Sequence, residues 1–241
     1  MVRMRRVDSL PMEPKVEYVR GLFTRIAGMY DALNHVLTFG IDVIWRRRAL
    51  AMLADGSCPS TVLDLATGTA DLAIAAARRF PSAHVTGIDL TPAMLAVGRR
   101  KVESAGLADR IALREGNALA LDVPDGAYDA VTCAFGFRNF PDPDQALREA
   151  ARVLRPGGRL LVLELFRMRS RFFSRFTSIW LRCVASLFAR RARNDYAYLR
   201  TSIERTLSAA EFQDKARRTG LERVREAFFR PSCHCLVLRK I

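Results

Sequence analysis

Asp64 and Asp89 lie 25 residues apart, each near the end of a short apolar run, and the bend after the first run, Ala66-Thr67-Gly68-Thr69-Ala70-Asp71, is built of small residues. Open α/β sheets bind ligands outside the carboxyl ends of their strands, and there these residue types have a definite use. Small residues let backbone approach a ligand closely, and a strand-end carboxylate takes both hydroxyls of a ribose. A third run ends at Gly116-Asn117-Ala118, offering an amide side chain and a backbone N–H to an adenine edge. Three contacts at that spacing describe one adenosine-bearing ligand. A nicotinamide dinucleotide favours G-x-G-x-x-G at the bend, and the three positions here are Ala66, Gly68 and Asp71. With one glycine of three, a pyrophosphate at the helix start is disfavoured. S-adenosylmethionine presents an amino acid portion there and needs no phosphate nest.

The elements that must hold these residues follow from periodicity. Apolar positions Val16, Val19, Phe23, Ile26, Ala27 and Tyr30 recur at steps of three and four, which predicts one helix over 16–30; a second is expected over Asp42 to Leu53. Strands are then expected over Thr61 to Leu65, His84 to Asp89, Ile111 to Glu115, Tyr128 to Ala134 and Arg159 to Glu164. Helices alternate with them over Leu72 to Phe80, Pro92 to Ala105 and Asp144 to Leu154, with a turn at Pro156-Gly157-Gly158. Such alternation implies right-handed crossovers and a mostly parallel sheet covered on both faces. Ser208 with Glu211 has capping-box spacing and opens a helix to Thr219. Runs at Arg223 to Phe229 and His234 to Leu238 then finish the sheet as an antiparallel hairpin. The expected fold is α/β, doubly wound and Rossmann-like, in one domain over 1–241. Its parts are an N-terminal helical segment (1–58), a cofactor-binding core (59–166), a basic amphipathic lid (167–207) and a C-terminal helix with strands (208–241).

Half of the 241 residues are apolar, enough for one core. The longest stretch without Asp, Glu, Lys or Arg is Ala32 to Ile41, ten residues, against about 20 for a bilayer-spanning helix. The basic start lacks the apolar run of a secretory signal, so a cytoplasmic chain is expected. Thirty-nine Lys and Arg against 25 Asp and Glu leave a net charge of +14, which points to an anionic partner. Arg167 to Arg193 carries eight arginines and no acid, interleaved with Phe172, Phe173, Phe176, Ile179, Trp180, Val184, Leu187 and Phe188. As a helix this segment sets Arg171, Arg175 and Arg182 within roughly 40° of one another, opposite the apolar side chains. That pattern suits either a lid packed on the core or a helix lying in an anionic lipid surface. The five cysteines contain no C-x-x-C pair, and Cys233-His234-Cys235 lacks a second cluster to complete a zinc site. No metal is expected, and the cysteines read as free thiols.

Several segments together resemble the ubiquinone/menaquinone C-methyltransferase family. They are Leu22 to Asn34, Phe39 to Trp45, Asp64 to Asp71, Phe135-Gly-Phe-Arg-Asn139, Arg152 to Gly158, Leu163-Glu164 and Tyr196 to Ile203. The F-G-x-R-N and Y-x-Y-L-x-x-S-I elements are the more specific ones. The resemblance implies a class I S-adenosylmethionine-dependent methyltransferase acting on a ring carbon of a polyprenylated hydroquinone. Cofactor contacts carry over to Thr69, Asp89 and the Asn117-Ala118 pair, with Asp64 and Gly68 shaping the bend. Family members commonly have Gly where Ala70 stands, and those acting on ubiquinone precursors often have Ser where this chain has Ala134, which leans toward demethylmenaquinol as substrate.

Methyl transfer from a sulfonium expels a neutral thioether, so the burden falls on making the ring carbon nucleophilic by deprotonating a hydroxyl of pKa ~10. Arg138, after the fourth strand, is expected to face the developing phenolate, with Asn139 orienting a ring oxygen. Tyr30, Asn34 and Tyr196 are expected to close the pocket over the ring, Glu164 to support or wall it, and Cys133 to pack. A polyprenyl substrate implies peripheral association with the inner face of the membrane; a homodimer is left open. A nucleic-acid methyltransferase or basic binding protein would also account for +14, but no N-P-P-Y-type loop follows the fourth strand, and no nucleic-acid partner is expected.

Overall fold

Val62, Leu63 and Leu65 are all fully buried, although neighbours along a strand point to opposite faces; a strand covered on both sides requires this. The computed structural model, which describes residues 12–54, 58–167, 206–229 and 233–241, shows why. These residues belong to β1 (Thr61–Leu65), in a seven-stranded sheet of order β3-β2-β1-β4-β5-β7-β6. The others are β2 (His84–Asp89), β3 (Ile111–Glu115), β4 (Tyr128–Ala134), β5 (Leu154–Glu164), β6 (Leu221–Phe229) and β7 (Cys233–Lys240). The first five run parallel, and β7 lies antiparallel between β5 and β6.

Side chains of alternate strand residues build two apolar layers. Val62, Leu161, Leu163 and Val237 join α3 (Asp42–Ala54), α4 (Asp71–Arg79) and Val102 of α5 (Pro92–Ser104) on one face. Leu63, Leu65, Leu160, Val162 and Leu236 join α6 (Pro143–Val153) and α7 (Ala209–Arg218) on the other. Cys233 and Cys235 face the first layer, whereas His234 between them packs against Phe166 and Phe228. Strand alternation thus sends the three residues of that cluster to opposite sides. Helix α7 opens with the expected reciprocal cap, Ser208 and Glu211 each bonding the other's backbone N–H.

Two elements differ from expectation. The N-terminal helix divides into α1 (Met12–Ile26), a single 3-10 turn (Ala27–Met29) and α2 (Tyr30–Thr38). Gly28 weakens the helix at that point, and the tighter turn seats buried Ala27 against α5. Strand β5 begins at Leu154 rather than Arg159: Leu154 pairs with Tyr128 and Arg159 with Ala130, so Pro156-Gly157-Gly158 is an excursion within the strand. Gly157 takes φ +75° there, and a Cβ on Gly158 would lie 2.9 Å from the Arg155 carbonyl.

From β1 the chain steps outward to β3, then returns to place β4 on the other side of β1. That reversal opens a crevice at the carboxyl ends of β1 and β4. Most of the expected lid, residues 168–205 with Tyr196, lies outside the described residues. Among the described residues no helix is long and apolar enough to cross a membrane.

Candidate functional site

The bend after β1 is set by a buried carboxylate. Asp64, 1% exposed, accepts hydrogen bonds from Thr67 Oγ1 at 2.7 Å and from Thr132 Oγ1 of β4 at 2.6 Å. Burial pushes its carboxyl up to about 6, the two hydroxyls only partly opposing the shift. Thr67 N–H is tied in turn to the Ile88 carbonyl of β2 at 3.0 Å. Between these anchors the backbone turns through left-handed conformations at Ala66 (φ +50°), Gly68 (φ +57°) and Ala70 (φ +67°). Asp64 therefore shapes the bend from behind.

Asp89, at the end of β2, holds the same bend from the other side: Oδ2 accepts from Gly68 N–H at 2.8 Å and Oδ1 from Thr91 N–H at 2.9 Å. Burial raises its pKa against these bonds. A carboxylate oxygen can accept more than one hydrogen bond, and Asp89 lines the cleft.

That cleft, about 810 Å³ and open to solvent, runs across the carboxyl ends of β1 to β4. Gly68, Asp89, Asn117 and Ala118 line it together with Tyr30 and Asn139. Asn117 Oδ1 accepts from Leu119 N–H at 2.9 Å, and Asn139 Nδ2 donates to the Phe135 carbonyl at 3.2 Å. Val16, Val19 and Phe23 of α1 give the cleft an apolar lining, beside Arg20 of the same helix. Tyr30 meets Phe23 edge-on at 5.9 Å. A carboxylate at the ribose position and a bend of small residues without a phosphate nest fit S-adenosylmethionine.

Three expected residues sit elsewhere. Arg138 Nη1 donates to Glu164 Oε1 and to the Phe135 carbonyl, both at 2.7 Å, and its N–H reaches Glu164 Oε2 at 3.2 Å. Side-chain exposures of 7% and 1% make this a buried ion pair. The guanidinium is drawn to the carboxylate at the end of β5, and Arg138 thereby ties the Phe135 to Asn139 turn to that strand. Thr69 donates to Asp31 Oδ1 at 2.6 Å and lines a second cavity of about 330 Å³ beside the bend. Asn34 lines neither cavity, and its Nδ2 is buried without a partner among the described residues.

Sequence reasoning missed the charged groups around that second cavity. Lys101 Nζ lies 2.6 Å from both Asp31 and Asp71, and Arg46, 6% exposed, pairs with Asp42 one turn earlier on α3. The available signal was the i,i+4 spacing of Asp42 and Arg46 in an otherwise apolar helix face. Nothing local links Asp31, Asp71 and Lys101, which only the fold brings together. Cys133 is buried beneath the site, and burial drives its thiol pKa far up.

Comparison with known proteins agrees with the geometry. The chain is 55% identical over 143 residues to the demethylmenaquinone methyltransferase of Thermus thermophilus, covering 59% of this chain and 64% of that protein. It is 40% identical over 221 residues to the demethylmenaquinone methyltransferase of Porphyromonas gingivalis, covering 90% and 89%. A solved S-adenosylmethionine-dependent methyltransferase of Thermotoga maritima superposes with a TM-score of 0.64 over 92% of this chain and 99% of that one, at 18% identity, a likeness of fold. The profile of the ubiE/COQ5 methyltransferase family matches residues 12–235, a span that takes in every described wall of the cleft, and the chain belongs to that family.

Proposed function

We propose that the protein transfers a methyl group from S-adenosylmethionine to a ring carbon of a polyprenylated hydroquinone, converting demethylmenaquinol to menaquinol. The observation that carries this reading is the mixed lining of the cleft: strand-end polar groups suited to a nucleoside share it with apolar residues of α1 suited to a hydrocarbon-bearing ring. Asp89 would hold the ribose, Asn117 and Ala118 the adenine edge, and Gly68 and Thr69 the amino acid end. When bound, the cofactor supplies an electrophilic methyl group and leaves as a neutral thioether, so no acid is required. The methylated ring carbon gives up its proton to water as the ring regains aromaticity, and the protein's task is to orient the ring and stabilise charge on its oxygen. Asn139, on the cleft wall, would hold a ring oxygen as negative charge develops. Arg138 and Glu164 fix the turn that carries it, and Tyr30 closes the other side.

A nucleic-acid methyltransferase would use the +14 charge as well, but the apolar wall and the named relatives favour a quinol. The basic charge then serves an anionic membrane surface, where a polyprenyl substrate resides. The test is incubation with methyl-labelled S-adenosylmethionine and a panel of demethylated naphthoquinols, benzoquinols and RNA. Label on a naphthoquinol carbon is expected, and label on RNA or on nothing refutes the reading. Binding to anionic vesicles should fall with salt; indifference to lipid charge and ionic strength removes the membrane part.

A further inference from the structure

We infer that Arg46 binds the carboxylate of the methyl donor's amino acid portion, in the second cavity beside the β1 bend. The inference rests on the proposed use of S-adenosylmethionine and names the residue that would recognise its zwitterionic end. Arg46 lies on the buried side of α3, yet its side chain lines the 330 Å³ cavity with Gly68, Thr69 and Asp71. Five residues, Tyr30, Ala66, Gly68, Ala134 and Phe135, line both this cavity and the main cleft, so one ligand lying across the bend reaches both.

The guanidinium is held but not used up. Nη1 pairs with Asp42, Nη2 stands 3.7 Å from Asp71, and Nε is buried with no hydrogen-bond partner among the described residues. Leaving a buried charged donor unmet is costly. The edge formed by Nε and Nη2 is one that takes a carboxylate side-on through two parallel bonds. Asp42 and the Phe135 ring, 5.8 Å from the guanidinium carbon, fix its plane.

A second donor set points to the same ligand group. Helix α4 starts at Asp71 after Ala70, which is left-handed and offers no side-chain cap. An uncapped helix start favours an anion. Asp64 and Asp71 line the same cavity and complement an ammonium. A carboxylate between Arg46 and the α4 start, with an ammonium toward the acids, is the pattern of an α-amino acid and not of a phosphate. It also agrees with the single glycine at the three phosphate-loop positions.

The test is calorimetric and needs no turnover. S-adenosylhomocysteine, which carries the amino acid portion, and 5′-methylthioadenosine, which lacks it, are titrated into the wild-type protein and into Arg46→Lys, which keeps the charge but loses the fork. Wild-type protein should bind S-adenosylhomocysteine at least tenfold more tightly than methylthioadenosine. Arg46→Lys should weaken the former at least tenfold and leave the latter within about twofold. Equal affinity of the wild type for the two ligands overturns the inference without reference to any variant. So does an Arg46→Lys protein that melts lower but keeps the wild-type discrimination, since Arg46 then only ties α3 to α4. If the wild type binds neither nucleoside, the methyl-donor reading itself fails, and this inference with it.

Discussion

Replacing Glu164 with Gln keeps the shape of the side chain and removes its charge, which separates two roles for Arg138. In the structure Glu164 accepts from the Arg138 guanidinium at 2.7 Å, from Arg138 N–H at 3.2 Å and from Leu165 N–H at 2.8 Å. The pair is almost wholly buried. Removing one member of such a pair strands the other charge and costs about 3–5 kcal/mol. For a chain of this size, at roughly 2–4 °C per kcal/mol, the melting temperature should fall on the order of 10 °C. If the pair positions the turn that carries Asn139, turnover should drop by as much as ~100-fold, the penalty for about 1 Å of misplacement. Affinity for the methyl donor should change little, because Asp89 and Asn117 sit on other loops. Replacing both charges together, Arg138→Met with Glu164→Gln, keeps an oxygen for the backbone N–H groups and should restore much of the stability but not the turnover. Scanning calorimetry and steady-state kinetics on the three proteins decide the matter. A Glu164→Gln enzyme with full or raised turnover would refute positioning, since an Arg138 released from its counter-charge would then be acting on the ring directly. An unchanged melting temperature would refute the buried pair.

A Cβ on Gly136 would lie 2.6 Å from Cys133 Sγ and 2.9 Å from Ala66 Cβ, so Gly136→Ala should cost about 1–3 kcal/mol in urea unfolding and weaken S-adenosylhomocysteine; an unshifted midpoint refutes the close approach. Asp64 is raised by burial from 3.8 to about 6, roughly 3 kcal/mol of linkage. The folded state holds that proton more tightly, so the contribution is present at low pH and is lost as pH rises through about 4 to 6. Stability of Asp64→Asn relative to wild type should therefore climb over that window and level off above it; a flat difference would remove the shift. Burial raises the thiol pKa values of Cys133, Cys233 and Cys235, the last to about 12. Peptide mapping after iodoacetamide treatment of the folded protein should find exposed Cys58 alkylated and these three protected, and rapid labelling of Cys133 would exclude a packing role.

The sheet was legible because its signals are local. β1, β2 and β4 are short runs with apolar centres bounded by turn residues, and period and capping chemistry act within a dozen positions. Reading failed where a local signal had two outcomes: the apolar period of 16–30 continues unbroken across Gly28, and Pro156-Gly157-Gly158 reads as a turn although the ladder resumes beyond it. Within the site, Asp64, Gly68, Asp89, Asn117 and Asn139 could be placed because strand ends converge in any doubly wound sheet. What sequence could not supply was the direction of a charged side chain. Arg138 was legible as a residue at the site, but its turn toward Glu164 depends on the register of β4 against β5. Arg46 reaches the bend only because α3 packs beside α4.

The same convergence explains why the site tolerates strain. Ala66, Ala70 and Phe135 are held at positive φ, each at a cost of about 1–2 kcal/mol for a residue with a Cβ. None relaxes, because bonds on both sides over-determine the backbone. Phe135 N–H reaches the Leu163 carbonyl at 2.8 Å while its own carbonyl accepts from Arg138 and Asn139, and Ala70 N–H reaches the Thr67 carbonyl at 2.9 Å. Ala66 and Phe135 line both cavities. Two of the three strained residues thus lie where the proposed methyl donor would rest against backbone, which is where pre-organisation is useful. Ala70 fits this account: it faces helix α5 at Gly98, where a Cβ would come within 3.3 Å of the Ala70 methyl. A glycine on α5 leaves room for the side chain on the bend, so the Ala70 methyl is accommodated by packing behind the bend.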